Sequence, residues 1–229
     1  NRLLLADTVR AATHPDGFLL TGIPRFNGDN RPLNSAFLFD HQAGLRGVYD
    51  KRHLVPFGEY VPFRSWVPFL DIIAGPADFV AGENNHLIAV PGIGQIQTLI
   101  CYEVIFAGQV IAPTNRPDVM VNITNDAWFG TTIGPWQHLY QSQLRAVEEG
   151  IPLVRVANTG ISAAFDGFGR QLGTIPLGTR AYLDIALPSV LTAPVFARFG
   201  NAGFFALCFG VFGVAWVLYR RERHQVYTA

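Results

Sequence analysis

The chain has 229 residues, in which 17 Lys+Arg balance 17 Asp+Glu, so it carries neither the basic surface of a nucleic-acid binder nor an acidic tail. Its length allows one large core, or a medium core with an appendage. Charged residues make up only 15 % of it, below the roughly 25 % of soluble domains, and the deficit has a local cause near the C-terminus.

Taken in order, residues 2–12 place Leu4, Leu5, Val9 and Ala12 on one helical face. Three β-rich runs follow, "GFLLTGI" (17–23), "NSAFLFD" (34–40) and "GLRGVYD" (44–50), with the turn residues "NGDN" between the first two. Residues 56–85 hold four prolines among large apolar groups and read as a long loop. "QIQTLI" (95–100) is a predicted strand and "YEVIFAGQVI" (102–111) a predicted helix that Pro113 stops. "DVMVNIT" (118–124) has the pattern of a buried strand. "PWQHLYQSQLRAVEEG" (135–150) is the clearest helix, with proline at its start and glycine at its end. "PLVRVAN" (152–158), "ISAAFD" (161–166) and "AYLDIAL" (181–187) are read as further strands, with "GFGRQLG" (167–173) as a connection between them. Interleaved strands and helices predict an α/β, or layered α+β, domain over 1–195.

The charge deficit lies in "FGNAGFFALCFGVFGVAWVLY" (199–219), 21 uncharged residues with four glycines. At about 1.5 Å per residue the segment spans roughly 30 Å, the thickness of a bilayer core. Arg220, Arg221 and Arg223 follow it, against Arg198 alone before it. The positive-inside rule then puts the tail 220–229 in the cytoplasm and residues 1–198 on the far side. No apolar leader opens the chain, so a preceding targeting or membrane segment is expected.

Cys101 follows an apolar run, and the other cysteine, Cys208, lies inside the predicted membrane span and cannot pair with it. A thiol between a strand and a helix suits a nucleophile, because the first free N–H groups of the helix favour negative charge. A cysteine in an apolar run is also what an inert core residue looks like. Lys51, Arg52, His53 and Glu59 crowd into "YDKRHLVPFGEYVPF" (49–63), where a lysine would stabilise a thiolate and an oxyanion, and a carboxylate would hold that lysine. In "NITNDAWFGTTIGPWQH" (122–138), Asn125 and Asp126 suit a turn, and Trp128 and Phe129 form an apolar knob beside it. Phe63, Trp66, Phe69, Leu70, Ile72 and Ile73 make 61–75 unusually apolar for a loop, and Trp66 with Arg64 suits a membrane interface. No GxSxG, Walker, CxxC or HExxH pattern occurs, and six scattered histidines argue against a metal site.

"KRHLVPFGEYVPF", "ICYEVIF" and "NDAWFGTTIGPWQH", in this order and spacing, resemble the nitrilase superfamily, and within it the membrane-embedded branch of apolipoprotein N-acyltransferases. The resemblance runs over nearly the whole chain. It implies an α-β-β-α sandwich, incomplete at the N-terminus, with Cys101 as nucleophile, Lys51 as triad lysine and Glu59 as a supporting glutamate. Tyr102 and Glu103 match the pair after the nucleophile, which shapes the oxyanion site or positions substrate. Trp66, Trp128 and Phe129 would meet lipid or substrate. The triad's glutamate base belongs to an earlier strand that no residue here matches, so residues 1–229 alone are expected to be inactive. Without a cofactor, such an enzyme moves a fatty acyl chain from a phospholipid, through a cysteine thioester, to the α-amine of a diacylglyceryl-cysteine apolipoprotein at the bacterial inner membrane. The same residues also fit a membrane-tethered nitrilase-like amidase or hydrolase, in which water resolves the intermediate. A non-catalytic, membrane-anchored interaction domain is the reading of another class.

Overall fold

The computed structural model describes residues 2–62, 78–83, 87–112 and 115–227. Helix α1 (Arg2–Ala12) leads into β1 (Phe18–Gly22), a short ribbon of β2 (Arg25–Phe26) and β3 (Pro32–Leu33), then β4 (Ser35–Asp40) and β5 (Leu45–Asp50). β6 (Ile88–Val90), β7 (Gly94–Ile100) and β8 (Val119–Asn125) follow, then α2 (Gly134–Glu149), β9 (Leu153–Asn158), β10 (Ser162–Phe165) and β11 (Gln171–Ile175). The described chain ends with α3 (Val195–Phe199) and α4 (Ala202–Tyr227).

β1, β4 and β5 form one antiparallel sheet, and β6 to β11 form a second in sequence order. Within the second, β7, β8 and β9 are parallel while the outer strands are antiparallel. The period of two along a strand decides the layers. From β7 and β8, Ile96, Ile100 and Val119 meet Ala36, Leu38 and Tyr49 of the first sheet. The alternate residues Leu99 and Met120 point the other way, onto Leu139 and Ala146 of α2. α1 buries Val9 and reaches the end of β4 through Thr13, whose hydroxyl lies 3.0 Å from His41 Nδ1. The order is helix, sheet, sheet, helix. Gly150 ends α2 in a left-handed conformation, φ 64°, that L-side chains resist.

The structure departs from the sequence reading in four places. The predicted helix over 102–111 is only a 3₁₀ turn, Cys101–Ile105, because Arg145 Nη1 takes the Ile105 carbonyl at 2.8 Å. Residues 181–187 pair with no strand. Leu183 rests against Gly173 of β11, and a run of apolar residues alone does not separate such a segment from a strand. β11 instead begins inside "GFGRQLG", where Asp166 Oδ1 accepts the N–H groups of Phe168 and Arg170 and closes a hairpin with β10. The apolar C-terminal segment is broken at Gly200, φ 52°, so Phe199 ends α3 and the long helix starts at Ala202. Within it Ala202–Arg220 is long and apolar enough to cross a membrane, with none of it buried against the protein. The apolar stretch from Phe63 onward, including Trp66, lies outside the described residues.

Residues 78–83 are tied to Glu59, near the start of the loop, and to Lys51, just after β5. Phe79 N–H donates to Glu59 O, and Gly82 N–H donates to Lys51 O, each at 2.8 Å. A Cβ on Gly82 would run into the Asp50 carbonyl. Asp50 itself is fixed by Arg25 and Ser35, so it does not yield easily. Gly82→Ala is expected to cost about 1–3 kcal/mol, as overpacking does, measured as a lowered thermal midpoint. An unchanged midpoint would show that this loop end is free to shift.

Candidate active site

Three strand ends deliver the polar residues. β5 ends one residue before Lys51, β7 one residue before Cys101, and β8 one residue before Asp126. Cys101 is half-buried and takes φ 51°, a left-handed conformation that costs a non-glycine residue about 1–2 kcal/mol. Such a strained residue at the end of a strand requires surroundings that hold it.

Glu103 supplies much of that hold. It is 2 % exposed, and its Oε2 accepts the N–H of Ile100, the residue before Cys101, at 2.8 Å. Its Oε1 accepts the N–H of Arg52, the residue after Lys51, at 2.8 Å, the N–H of His53 at 3.2 Å and the Tyr49 hydroxyl at 2.8 Å. One carboxylate therefore binds the backbone on either side of the site. Burial first, then the Glu103 charge, pushes the Tyr49 phenol far above its ordinary range, which keeps it a donor.

Lys51 is 1 % exposed, and a buried ammonium requires a partner. Glu59 provides it, with Oε2 at 2.7 Å from Nζ. The same oxygen accepts the Val55 N–H at 2.7 Å, and Oε1 accepts Asn34 Nδ2 at 2.8 Å. Glu59 is thus held from three sides, and it holds the lysine. Tyr102 is half-buried, edge-on to Phe106, which stacks on His53 at 4.4 Å. Trp128 is 84 % exposed and Phe129 less so, in a 3₁₀ turn opened by Asn125, whose Oδ1 accepts the Ala127 N–H.

Behind the cysteine lies a group that sequence reasoning missed. Asp126, which suits a turn by sequence, is buried and pairs with both Arg155 and His138. Burial pushes its carboxyl up, but the His138 hydrogen bond and the Arg155 charge outweigh this and hold it below the usual carboxylate range. The missed signal was a polar residue at a core-facing strand position. Asn122 interrupts "VMVNIT" and Arg155 interrupts "PLVRVAN", and the two are register partners across β8 and β9.

The chain belongs to the carbon–nitrogen hydrolase family, whose sequence model matches residues 4–194. It is 41 % identical over 202 residues to the apolipoprotein N-acyltransferase of Bradyrhizobium diazoefficiens, covering 87 % of this chain and 36 % of that one. It is 41 % identical over 177 residues to the apolipoprotein N-acyltransferase of Rickettsia prowazekii, covering 76 % of this chain and 36 % of that one. The chain thus spans little more than a third of the length of these curated relatives. Among solved structures, Nit3 of Saccharomyces cerevisiae, a nitrilase-superfamily member, superposes with a TM-score of 0.58 at 16 % identity, over 77 % of this chain and 62 % of that one. An amidase from Nesterenkonia sp. AN1, seen with an acetamide moiety added to its active-site cysteine, superposes with a TM-score of 0.55 at 23 % identity, over 77 % of this chain and 62 % of that one. The fold is the nitrilase-type α-β-β-α sandwich.

Glu103→Gln tests the clamp. The amide keeps one acceptor oxygen but turns an N–H group toward a backbone N–H that the carboxylate accepted. A loss of about 2–3 kcal/mol is expected, the scale of hydrogen bonds to a charged group, seen in thermal unfolding together with slower alkylation of Cys101. Full stability and full alkylation rate would show that the clamp is dispensable.

Proposed function

We propose that Cys101 is the nucleophile of a phospholipid-dependent N-acyltransferase, with Lys51 as its electrostatic partner and Glu59 as the carboxylate that places the lysine. The observation that supports this most is the Glu103 clamp. It fastens the residue before the thiol and the residue after the lysine to a single carboxylate.

The chemistry follows in two steps. The Cys101 sulfur attacks the carbonyl carbon of a phospholipid ester. The oxyanion is stabilised by the Lys51 ammonium and the Tyr102 N–H at the start of the 3₁₀ turn. Collapse breaks the ester C–O bond and expels the lysophospholipid as an alcohol, which takes up a proton, leaving an S-acyl thioester. The α-amine of a diacylglyceryl-cysteine apolipoprotein then attacks the thioester, loses a proton, and releases the thiolate. Both oxygens of Glu59 and of Glu103 are engaged by protein donors, so the proton of the thiol is assigned to neither. Trp128 and Phe129 present apolar surface for an acyl chain, a role also proposed for Trp66.

The domain arrangement follows the same reading. Residues 1–195 carry the nucleophile and the lysine, and the helix from Ala202 anchors them in the bacterial inner membrane. Its wholly outward apolar surface suits lipid as its surroundings. The arginines at 220, 221 and 223 support a cytoplasmic C-terminus and a site on the periplasmic side.

In the full-length protein incubated with phospholipid, a hydroxylamine-sensitive acyl adduct is expected on Cys101 by mass spectrometry. An adduct that persists in Cys101→Ala would overturn the assignment. Lys51→Arg is expected to lose at least about a hundredfold in turnover, near the cost of removing an oxyanion donor, because a planar guanidinium does not replace a buried ammonium. Near-normal turnover in Lys51→Arg would remove the lysine from the mechanism.

A further inference from the structure

Two side chains of the buried group behind Cys101 reach its carbonyl oxygen, and one of them, Asn122, also donates to the Leu99 carbonyl at 3.2 Å. His138 Nε2 lies 3.2 Å from the Cys101 carbonyl oxygen, and Asn122 Nδ2 donates to the same oxygen at 3.4 Å. Arg155 binds what holds them. Its Nη1 donates to Asn122 Oδ1 at 2.5 Å and to Ser142 Oγ at 3.3 Å, and its Nη2 donates to Asp126 Oδ2 at 2.5 Å. The side chains of Arg155 and Asp126 are wholly shielded from solvent, and His138 is 5 % exposed. Burial pulls the Arg155 guanidinium below its ordinary value, and the Asp126 charge opposes that.

A carbonyl oxygen only accepts, so His138 Nε2 carries a hydrogen. Nδ1 lies 2.9 Å from Asp126 Oδ1 and 3.1 Å from Arg155 Nη2. With a hydrogen on both nitrogens, the ring donates Nδ1–H to Asp126 Oδ1 and Nε2–H to the Cys101 carbonyl, so it ties that oxygen to the buried carboxylate.

We propose that Arg155, Asp126, Asn122 and His138 form a positioning device for Cys101: by pinning its carbonyl they keep the residue left-handed and set the directions of the thiol and of the Tyr102 N–H. The second direction follows from the planar trans peptide, since the described chain has no cis bonds and an N–H points opposite to the carbonyl it shares a plane with. Pinning Cys101 O inward turns the Tyr102 N–H the other way. A buried ion pair alone is poor evidence of a stabilising role, because apolar side chains of similar volume often serve as well. Here the array ends on the backbone of the one residue at φ 51° that follows β7.

The proposal rests on Cys101 being the nucleophile, and the test separates the two. In the full-length protein, His138→Gln places an amide N–H near the position of Nε2, whereas His138→Asn places its amide near Nδ1 and leaves the carbonyl unheld. Thioester formation and acyl transfer are measured beside the thermal midpoint. His138→Asn is expected to lower kcat about a hundredfold, the cost of a small misplacement of reacting groups, with little change in KM. His138→Gln is expected to recover to within about fivefold of the parent, well inside that penalty, at a thermal midpoint close to that of His138→Asn. Equal activity of the two variants, or losses that simply follow their midpoints, would overturn the positioning role. Cys101→Ala run in parallel reports on the nucleophile. An inactive Cys101→Ala beside a fully active His138→Asn removes only the positioning device, while an active Cys101→Ala removes both readings.

Discussion

The Glu103 carboxylate is the interaction on which the rest of the site depends. A buried carboxylate is costly unless its lone pairs are filled, and here four donors from two separate stretches fill them. Those stretches are the end of β5 with the segment after it, and the end of β7. Because the cost of leaving the charge unsatisfied is high, the two sheets are held at one mutual distance where they carry Lys51 and Cys101. Packing of Tyr49, Ile96 and Ile100 between the sheets supplies the apolar part of the same join.

Two buried charge systems flank the cysteine from opposite sides. Lys51 with Glu59 lies on the side of the first sheet, and Arg155 with Asp126 lies on the α2 side of the second. Each is neutral as a pair, which limits the desolvation cost. They also differ in construction. The lysine's partner is itself held by the Val55 N–H and the Asn34 amide, whereas the arginine's partners reach the Cys101 carbonyl directly or through His138. The Cys101 backbone is therefore fixed from behind, and the Lys51 ammonium is fixed by its own carboxylate.

The fold places this arrangement at the carboxyl ends of parallel strands β7 and β8, a common location for sites in open α/β sheets. α2 covers one face of the second sheet and supplies His138, Ser142 and Arg145. The last of these ends the 3₁₀ turn after Cys101 by taking the Ile105 carbonyl. The turn stays short, and Tyr102 and Phe106 pack edge-on beside His53 instead of continuing a helix.

Strong local signals carried through from sequence to structure. Period-two runs gave β1, β4, β5, β7, β8, β9 and β10, the proline-to-glycine frame bounded α2, and 21 uncharged residues marked the apolar helix, all from interactions within a few residues. Cys101, Lys51 and Glu59 stood out because a thiol at a strand end and charges amid proline and aromatics are unusual in themselves. The helix after Cys101 and the strand over 181–187 failed because a carbonyl captured by a distant arginine, and the lack of a ladder partner, are tertiary events. Glu103, Asn122, Asp126, His138 and Arg155 were visible as residues but not as a network. Their meaning lies in hydrogen bonds between positions as far as 54 residues apart. Sequence alone determined which side chains have chemistry and where the strongly patterned strands and helices lie; only the folded sheets decided which of those side chains pair, because that depends on distances no local pattern encodes.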